Sequence, residues 1–214
     1  NHAQVSAVVE SDGGQAHVQI DLLRPSTQET EVQSQQQSFR GMAVQKYLKF
    51  NGVPRKNSEI VGQINVVMFS AQDLDLILGS PTVRRRYLDI LISQVNTRYL
   101  KALQKYQKVV SQRNYLLKTV REGRSPLGEL EFWDDQLVAE GSYIMVQRAE
   151  TVLALSYDAS LIHTELTSQG EKLELTFQPS INMVAGQTVD QVGQTLRNVL
   201  ELQRDKEVSL GFTL

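Results

Sequence analysis

Two acidic residues that follow an apolar stretch are the first candidates for chemistry. Asp73 and Asp75 stand two residues apart, directly after the apolar residues 64–69. This spacing could hold a cation or a nucleotide-bound water. Acidic side chains also favour the first turn of a helix, where they accept hydrogen bonds from free backbone N–H groups. The pair therefore predicts either a ligand site or the start of a helix.

Seven cationic residues are candidates for binding phosphate groups or an acidic partner. A helix would present Lys101, Lys105 and Lys108 on one face, because they are spaced four and three apart. Three successive arginines stand near a helix start, where cations oppose the helix dipole. A positive stripe suits a nucleic-acid backbone, but solvation or pairing with an acidic helix explains the lysines equally well. The seven residues are Arg84, Arg85, Arg86, Arg98, Lys101, Lys105 and Lys108.

The sequence contains none of the common catalytic or nucleotide-binding motifs. It has no G-x-x-x-x-G-K-[ST] loop, no G-x-G-x-x-G and no H-E-x-x-H, which are the motifs that hold phosphates or zinc. Its three histidines, His2, His17 and His163, lie far apart without nearby carboxylates at ligand spacing. We therefore predict no catalytic residue, no metal site and no cofactor within these 214 residues.

Residues 81–122 predict one long, uninterrupted helix. Ser80 suits the N-cap and Pro81 the first helical position. Apolar residues then recur at steps of four and three, which is the 3.5-residue repeat of a coiled-coil seam, with Arg113 as its polar member. About 40 residues at ~1.5 Å each predict a rod of about 60 Å. Such a rod requires a partner helix.

The partner helix is predicted to follow after a sharp turn. Gly123 suits a helix stop, and Ser125-Pro126 suits the next start. Residues 84–124 hold eleven Lys or Arg and two acids, whereas residues 127–165 hold eight acids and one base, so opposite charges favour an antiparallel pair. Gly141 costs about 1 kcal/mol in a helix, so we expect it where helices cross closely or where the rod bends.

Shorter apolar patterns before and after the helices predict strands and one further helix. Residues 12–14 and Asn51-Gly52 have turn composition, and residues 33–38 form a Gln/Ser loop. The predicted strands are residues 3–10, 17–23, 44–50, 64–69, 173–177 and 208–214, and the last helix contains residues 189–200. The fold class is therefore α+β, a long antiparallel helical hairpin inserted into a small, mostly antiparallel β-sheet base. The predicted divisions are 1–78, 79–168 and 169–214.

Composition narrows the class of protein. A chain that is 41% hydrophobic can bury a core, and its net charge of −2 conceals the unequal charges of the two helices. No apolar run reaches the ~18 residues of a membrane helix, and no basic and apolar signal segment begins the sequence. The absence of cysteine removes disulfides and thiolate metal sites. Cytoplasmic localisation, without membrane association, is the expectation.

Several sequence segments together resemble the RecF family of bacterial recombination-repair proteins, which are related to SMC-type ATPases. The clearest are Val67-Met68-Phe69-Ser70-Ala71-Gln72-Asp73-Leu74, Gly79-Ser80-Pro81, Arg84-Arg85-Arg86-Tyr87-Leu88-Asp89 and Gln112-Arg113-Asn114. Weaker similarity continues to Gly211-Phe212-Thr213-Leu214. In the family the first segment usually has Pro-Glu before the aspartate. Here Ala71-Gln72 stand in that place, so a role for the glutamate does not transfer.

The resemblance implies a function for the longer protein. Family members carry a Walker A loop upstream, and a G-P-H-R-D segment, an ABC-type signature and a Walker B strand downstream, so the chain is expected to be an internal piece that does not hydrolyse ATP. The full protein would bind ATP and Mg, dimerise, bind DNA at single-strand to double-strand junctions and work with RecR and RecO to load RecA. Gln72 and Asp73 would belong to a nucleotide-sensing loop between an ATPase head and the helical arm.

One interpretation from another functional class remains. The chain could be a non-enzymatic coiled-coil adaptor with its own β-sheet base, unrelated to RecF. In that case the likeness would reflect only convergence of coiled-coil sequences.

Overall fold

The computed structural model describes residues 2–11, 14–24, 44–168 and 170–214. The chain forms two compact units, residues 1–65 and residues 66–214. The three-part division of the sequence is a different partition and stays a prediction. The predicted turn at Asp12-Gly13 and the Gln/Ser loop at residues 33–38 lie outside the described residues.

The first unit is a four-stranded antiparallel sheet in the order β1-β2-β3-β4. Its strands are β1 His2–Ser11, β2 Gly14–Leu23, β3 Gln45–Phe50 and β4 Val53–Pro54. A short helix, α1 Asn57–Ile60, follows. Asn51 and Gly52 both have positive φ, 49° and 77°, as the tightest hairpin turns require. The predicted hairpin, third strand and Asn-Gly turn are therefore confirmed.

Two of the predicted strands lack a neighbouring strand. Ile64 makes one isolated bridge to Val61, and residues 65–70 have no regular structure. Val67 is 97% exposed and Phe69 is 89% exposed, so the prediction of a buried strand at residues 64–69 is wrong for this chain. Residues 173–177 are likewise outside any strand. There the backbone N–H of Leu175 donates to the Ser156 hydroxyl, 2.9 Å away, instead of to a strand.

The second unit is mainly helical. A 3₁₀ turn, Ala71–Leu74, leads into α2 Asp75–Leu78, and a second 3₁₀ turn spans Leu127–Glu129. The remaining helices are α3 Pro81–Val95, α4 Thr97–Arg121, α5 Leu130–Leu166 and α6 Val189–Leu210. Because α6 continues to Leu210 and ends at Gly211 with φ 78°, the predicted strand at residues 208–214 is wrong. Within the described ranges, no helix contains the long apolar stretch that crossing a bilayer requires.

The long outgoing helix is broken at Asn96. This residue has extended backbone angles, φ −133° and ψ 96°, and its side-chain oxygen accepts a hydrogen bond from the Tyr99 backbone N–H. Asparagine is among the best N-cap residues because its short side chain satisfies a free N–H of the first turn. The predicted uninterrupted helix over residues 81–122 is therefore two helices, α3 and α4.

Helices α4 and α5 pack side by side in opposite directions. Contacts pair Asn96 with Gln147, Lys105 with Glu140 and Arg113 with Asp134, so the position in α5 falls as the position in α4 rises. The chain reverses after α4 at a glycine with φ 71°. The two following hydrogen bonds, Gly123 N–H to Val120 and Arg124 N–H to Thr119, form a Schellman cap.

Helix α6 completes a three-helix core. Buried apolar residues of all three helices share one cluster, including Val109 of α4, Leu137 of α5 and Val192 of α6. A Cβ on Gly141 would lie 3.2 Å from both Leu196 and Tyr106, so the expected close helix crossing at this glycine is confirmed. Because a third helix covers the seam, the packing is that of a bundle and not of a two-helix coiled coil.

Candidate functional site

Asp73 and Asp75 lie where the chain enters a helix. The Asp73 carboxylate accepts a hydrogen bond of 2.5 Å from the Ser70 backbone N–H, which fixes the chain direction before the 3₁₀ turn. Asp75 lies in the first turn of α2, and Gln72 is exposed. The local geometry thus assigns Asp73 a capping contact, and a nucleotide-sensing role for Gln72 and Asp73 stays a prediction.

The three arginines at the start of α3 are exposed and differ in their contacts. Arg84 donates to the backbone carbonyls of Leu76 and Gly79 at 3.2 and 2.9 Å, and so satisfies carbonyl groups at the end of α2. Arg85 donates to the Thr82 hydroxyl at 3.3 Å. None of the three forms an ion pair with a carboxylate in the described part of the chain.

The three lysines predicted to share one face of the helix, together with Arg98, divide into two pairs. Lys105 forms an ion pair of 2.7 Å with Glu140 of α5, and the Arg98 guanidinium lies 4.2 Å from the Tyr143 ring centroid. Lys101 and Lys108 are exposed and have neither a hydrogen bond nor an ion pair with a described residue. The stripe therefore serves helix pairing at two positions and leaves two cations available to an external anion.

An ion pair between Asp89 and Arg148 joins α3 to α5. Both carboxylate oxygens of Asp89 accept hydrogen bonds from Arg148, at 2.7 and 2.9 Å. The Tyr99 hydroxyl donates to the same carboxylate at 2.6 Å. Burial and this hydrogen bond to Asp89 raise the pKa of Tyr99 above its ordinary value, because the phenolate would be buried beside a carboxylate. Tyr99 therefore acts as a neutral donor.

The break between α3 and α4 is also attached to α5. While the Asn96 oxygen caps α4, its amide nitrogen donates to the Tyr143 hydroxyl at 3.0 Å and to the Gln147 side chain at 2.8 Å. The Asn96 side chain thus caps α4 and also holds the break between α3 and α4 against α5. The Asn-Thr pair at residues 96–97 has the composition of a helix start, a signal that the apolar repeat on both sides obscured.

A second ionic cluster is buried among α4, α5 and α6. Arg113 is fully buried, and its guanidinium donates to Asp134 and Glu207 at 2.7 Å each and to Thr213 at 2.8 Å. Arg204 donates to the second Asp134 oxygen at 3.0 Å. Burial lowers the pKa of Arg113, but its hydrogen bonds to Glu207 and Asp134 outweigh that effect and raise it. The guanidinium groups of Arg113 and Arg204 thus lie against the carboxyl groups of Asp134 and Glu207, so the buried donors of Arg113 all have acceptors.

The same cluster holds the chain after α6. The Leu214 backbone N–H donates to Glu207 at 2.9 Å, and the Thr213 backbone N–H donates to the Asn114 side chain at 2.8 Å. Arg113 was visible in the sequence as a polar residue in an apolar seam. Glu207 gave no such signal, because its partner Arg113 is 94 residues away.

The described residues contain no metal-binding cluster. No three His, Cys, Asp or Glu side chains among them lie close enough together to hold an ion. The described part of the helical unit thus combines helices joined by ion pairs with exposed cations that have no carboxylate partner. Such cations can attract an external anion.

Comparison with known proteins finds relatives of similar sequence. No protein-family model matches the chain. Curated proteins named DNA replication and repair protein RecF are similar over most of it: that of Shouchella clausii is 37% identical over 168 residues, 78% of this chain and 45% of the relative. The RecF of Roseiflexus castenholzii is 38% identical over 161 residues, 73% of this chain and 41% of the relative. The chain spans less than half the length of these relatives.

Solved structures agree with the fold. A structure of the recombination mediator protein RecF with ATP, in the RecFOR pathway, matches with a TM-score of 0.83 and 25% identity, over 100% of this chain and 52% of the other. A second RecF structure, with an ATP analogue, matches with a TM-score of 0.81 over 99% of this chain and 52% of the other. Fold and sequence are both similar to those of RecF proteins. Over the span shared with these relatives, the chain belongs to the RecF family.

This result removes one of the two interpretations. An adaptor unrelated to RecF would not share 32–38% identity with curated RecF proteins across about three quarters of its length. The interpretation of the likeness as coiled-coil convergence is therefore wrong.

Proposed function

We propose that the chain is the helical arm and part of the ATPase head of a RecF-like protein. In this proposal the parent is an ABC-type ATPase that binds ATP and Mg, dimerises and acts in the cytoplasm. The arm couples that ATP-dependent dimerisation to binding of gapped DNA and to contact with RecO and RecR in RecA loading. The matched relatives are RecF proteins, and one matched structure contains ATP, which supports the parent's function.

The observation that carries the coupling is a continuous series of contacts through the second unit. The 3₁₀ turn capped by Asp73 continues into α2, whose end is capped by Arg84 of α3. Asp89 of α3 is then bound by Arg148 of α5. A displacement of the loop at Gln72 and Asp73 would pass through these contacts to the long helices, because packed elements move as discrete bodies.

The exposed cations of α4 support DNA contact. Lys101 and Lys108 are free of described partners, and the Arg84 to Arg86 cluster lies on the same unit, also without carboxylate partners. Phosphate groups would supply the counter-charge that the fold itself does not provide. Neither group requires a sequence-specific base contact, which fits recognition of a DNA junction by its shape.

Charge reversal of the two free lysines tests this function. We expect the Lys101→Glu/Lys108→Glu variant to bind a fluorescein-labelled duplex with a single-stranded gap about tenfold more weakly at low salt. The slope of log affinity against log salt should fall by about two, because each lost phosphate contact removes ~0.9. Fluorescence anisotropy at salt concentrations between about 50 and 200 mM measures both the affinity and the slope.

A matched variant separates this effect from net charge. Lys172→Glu/Lys206→Glu makes the same charge change at two other exposed positions of the helical unit and should keep both affinity and slope. Equal losses in the two variants, or no loss in either, would contradict DNA contact by α4.

A further inference from the structure

A groove on the sheet of the first unit has the features of a second anion site. It has a volume of about 810 Å³ and lies along the polar face of the sheet, beside the chain that enters α1. The register places Tyr47 opposite Asp21 and Lys49 opposite Gln19, so these four side chains share that face. The cationic residues that line the groove are Lys46, Lys49, Arg55 and Lys56.

The carboxylate among the described lining residues is already compensated. Asp21 accepts a hydrogen bond of 2.8 Å from Gln19, and its oxygens lie 3.3 Å from His2 Nε2 and 3.8 Å from Lys49 Nζ. The pKa of Asp21 is lowered chiefly by the Gln19 hydrogen bond, with smaller contributions from His2 and Lys49. Asp21 stays an anion that is paired with Lys49, and the described carboxylates leave Arg55 and Lys56 unpaired.

Two cations at the edge of the groove have no carboxylate partner among the described residues. Arg55 and Lys56 are exposed, and only their backbone groups are engaged: Arg55 N–H with Leu48 and Lys56 N–H with Glu59. Tyr47, about half exposed, also lines this groove. An accessible aromatic ring beside free cations is the combination by which proteins bind single strands, because bases stack on rings while cations meet phosphates.

We propose that this groove binds single-stranded nucleic acid, with Arg55 and Lys56 on successive phosphates and the Tyr47 ring stacked on a base. The inference deepens the proposed function, on which it rests, by placing single-strand contact on the sheet and not on α4. An acidic peptide would use the same cations but would gain nothing from the ring. A base-paired duplex would keep its bases stacked inside and unavailable to Tyr47.

Four variants of the full chain test the groove, with a fluorescein-labelled oligothymidylate of about 20 nucleotides as the probe. Arg55→Gln/Lys56→Gln should weaken binding about tenfold and reduce the salt slope by about 1.4, since each single-strand phosphate contact contributes ~0.7. Tyr47→Ala should weaken binding about tenfold, while Tyr47→Phe, which keeps the ring, should bind as the parent chain does. Asp21→Asn should strengthen binding, because it releases Lys49.

A matched charge variant and a competitor distinguish a specific groove from a general effect of charge. Lys172→Gln/Lys206→Gln, with the same charge change on the helical unit, should leave binding unchanged. The groove inference is overturned if Arg55→Gln/Lys56→Gln binds like the parent chain or if Tyr47→Phe loses as much as Tyr47→Ala. It is also overturned if polyglutamate displaces the labelled oligonucleotide as well as unlabelled oligothymidylate does.

The measurements distinguish failure of the groove inference from failure of the proposed DNA contact by α4. If the Lys101→Glu/Lys108→Glu variant loses gapped-duplex binding while the groove variants retain oligothymidylate binding, the groove is wrong and the arm proposal stands. If the groove variants lose oligothymidylate binding and the helix variant keeps the gapped duplex, the groove stands without a DNA-binding α4. A parent chain that binds neither probe would contradict both.

Discussion

Single charged residues inside the helical unit decide how its helices meet. Arg113 is completely buried, and so is its partner Glu207, yet the guanidinium has a hydrogen-bond acceptor at each of its three nitrogens. Charges withdrawn from water are tolerated only when they are paired in this way. The sequence showed that Arg113 occupies an apolar seam position. It could not show Glu207, because long-range pairing leaves no local pattern.

Removal of Arg113 should be among the most damaging single changes in the chain. Arg113→Ala would leave the buried Glu207 carboxylate without a cation and Asp134 with Arg204 as its remaining cation, so we expect a loss of about 3–5 kcal/mol in the free energy of unfolding. Urea unfolding followed by circular dichroism measures it. Lys108→Ala, which removes an exposed and unpaired cation from the same helix, should stay within about 0.5 kcal/mol. A loss below about 1 kcal/mol for Arg113→Ala would contradict the buried ionic cluster.

Helices and strands differ in how far their sequence patterns foretold them. The helix stop at Gly123 and the crossing at Gly141 follow from local backbone requirements and are visible in single residues. The strands at residues 64–69, 173–177 and 208–214 were wrong, because an apolar alternation predicts a strand only when another strand is available to pair with it. The break at Asn96 was missed because a cap residue interrupts the backbone without interrupting the apolar repeat.

The Asn96 break should be separable into two contributions. Asn96→Ala removes the cap of α4 and the contacts to Tyr143 and Gln147, so we expect a loss of about 1–2 kcal/mol in unfolding free energy. Asn96→Asp keeps a capping oxygen and should recover part of that loss. Urea unfolding of the two variants beside the parent chain tests this. Identical losses would show that the capping oxygen contributes nothing measurable, and no loss in Asn96→Ala would show that the side chain does not hold the helices.

At the scale of the whole molecule, the core lies mostly in the helical unit. Nearly all of the buried apolar side chains among the described residues belong to α3, α4, α5 and α6, whereas the strongly apolar residues 66–69 are exposed. Composition alone predicted a sufficient core but could not say which apolar residues would enter it. Curated relatives are more than twice as long as the shared span.

Substitutions in and out of this core should therefore differ sharply. Val67→Ser and Phe69→Ser change side chains that are 97% and 89% exposed, so each should alter the free energy of unfolding of this chain by no more than about 0.5 kcal/mol. Leu117→Ala, at a fully buried position, should cost about 2–5 kcal/mol. Chemical unfolding of the three variants measures the contrast. A loss above about 2 kcal/mol for Val67→Ser would mean that the segment is packed after all.

The ionic cluster around Arg113 also bears on the order in which the chain assembles. Its contacts to Glu207 and Thr213 close loops of 94 and 100 residues, whereas α4 and α5 meet across a short turn. Loop closure over such distances costs more chain entropy than a nearby reversal. We therefore expect α4 and α5 to pack together early in folding. The contacts of Arg113 would then attach α6 to them in a late step.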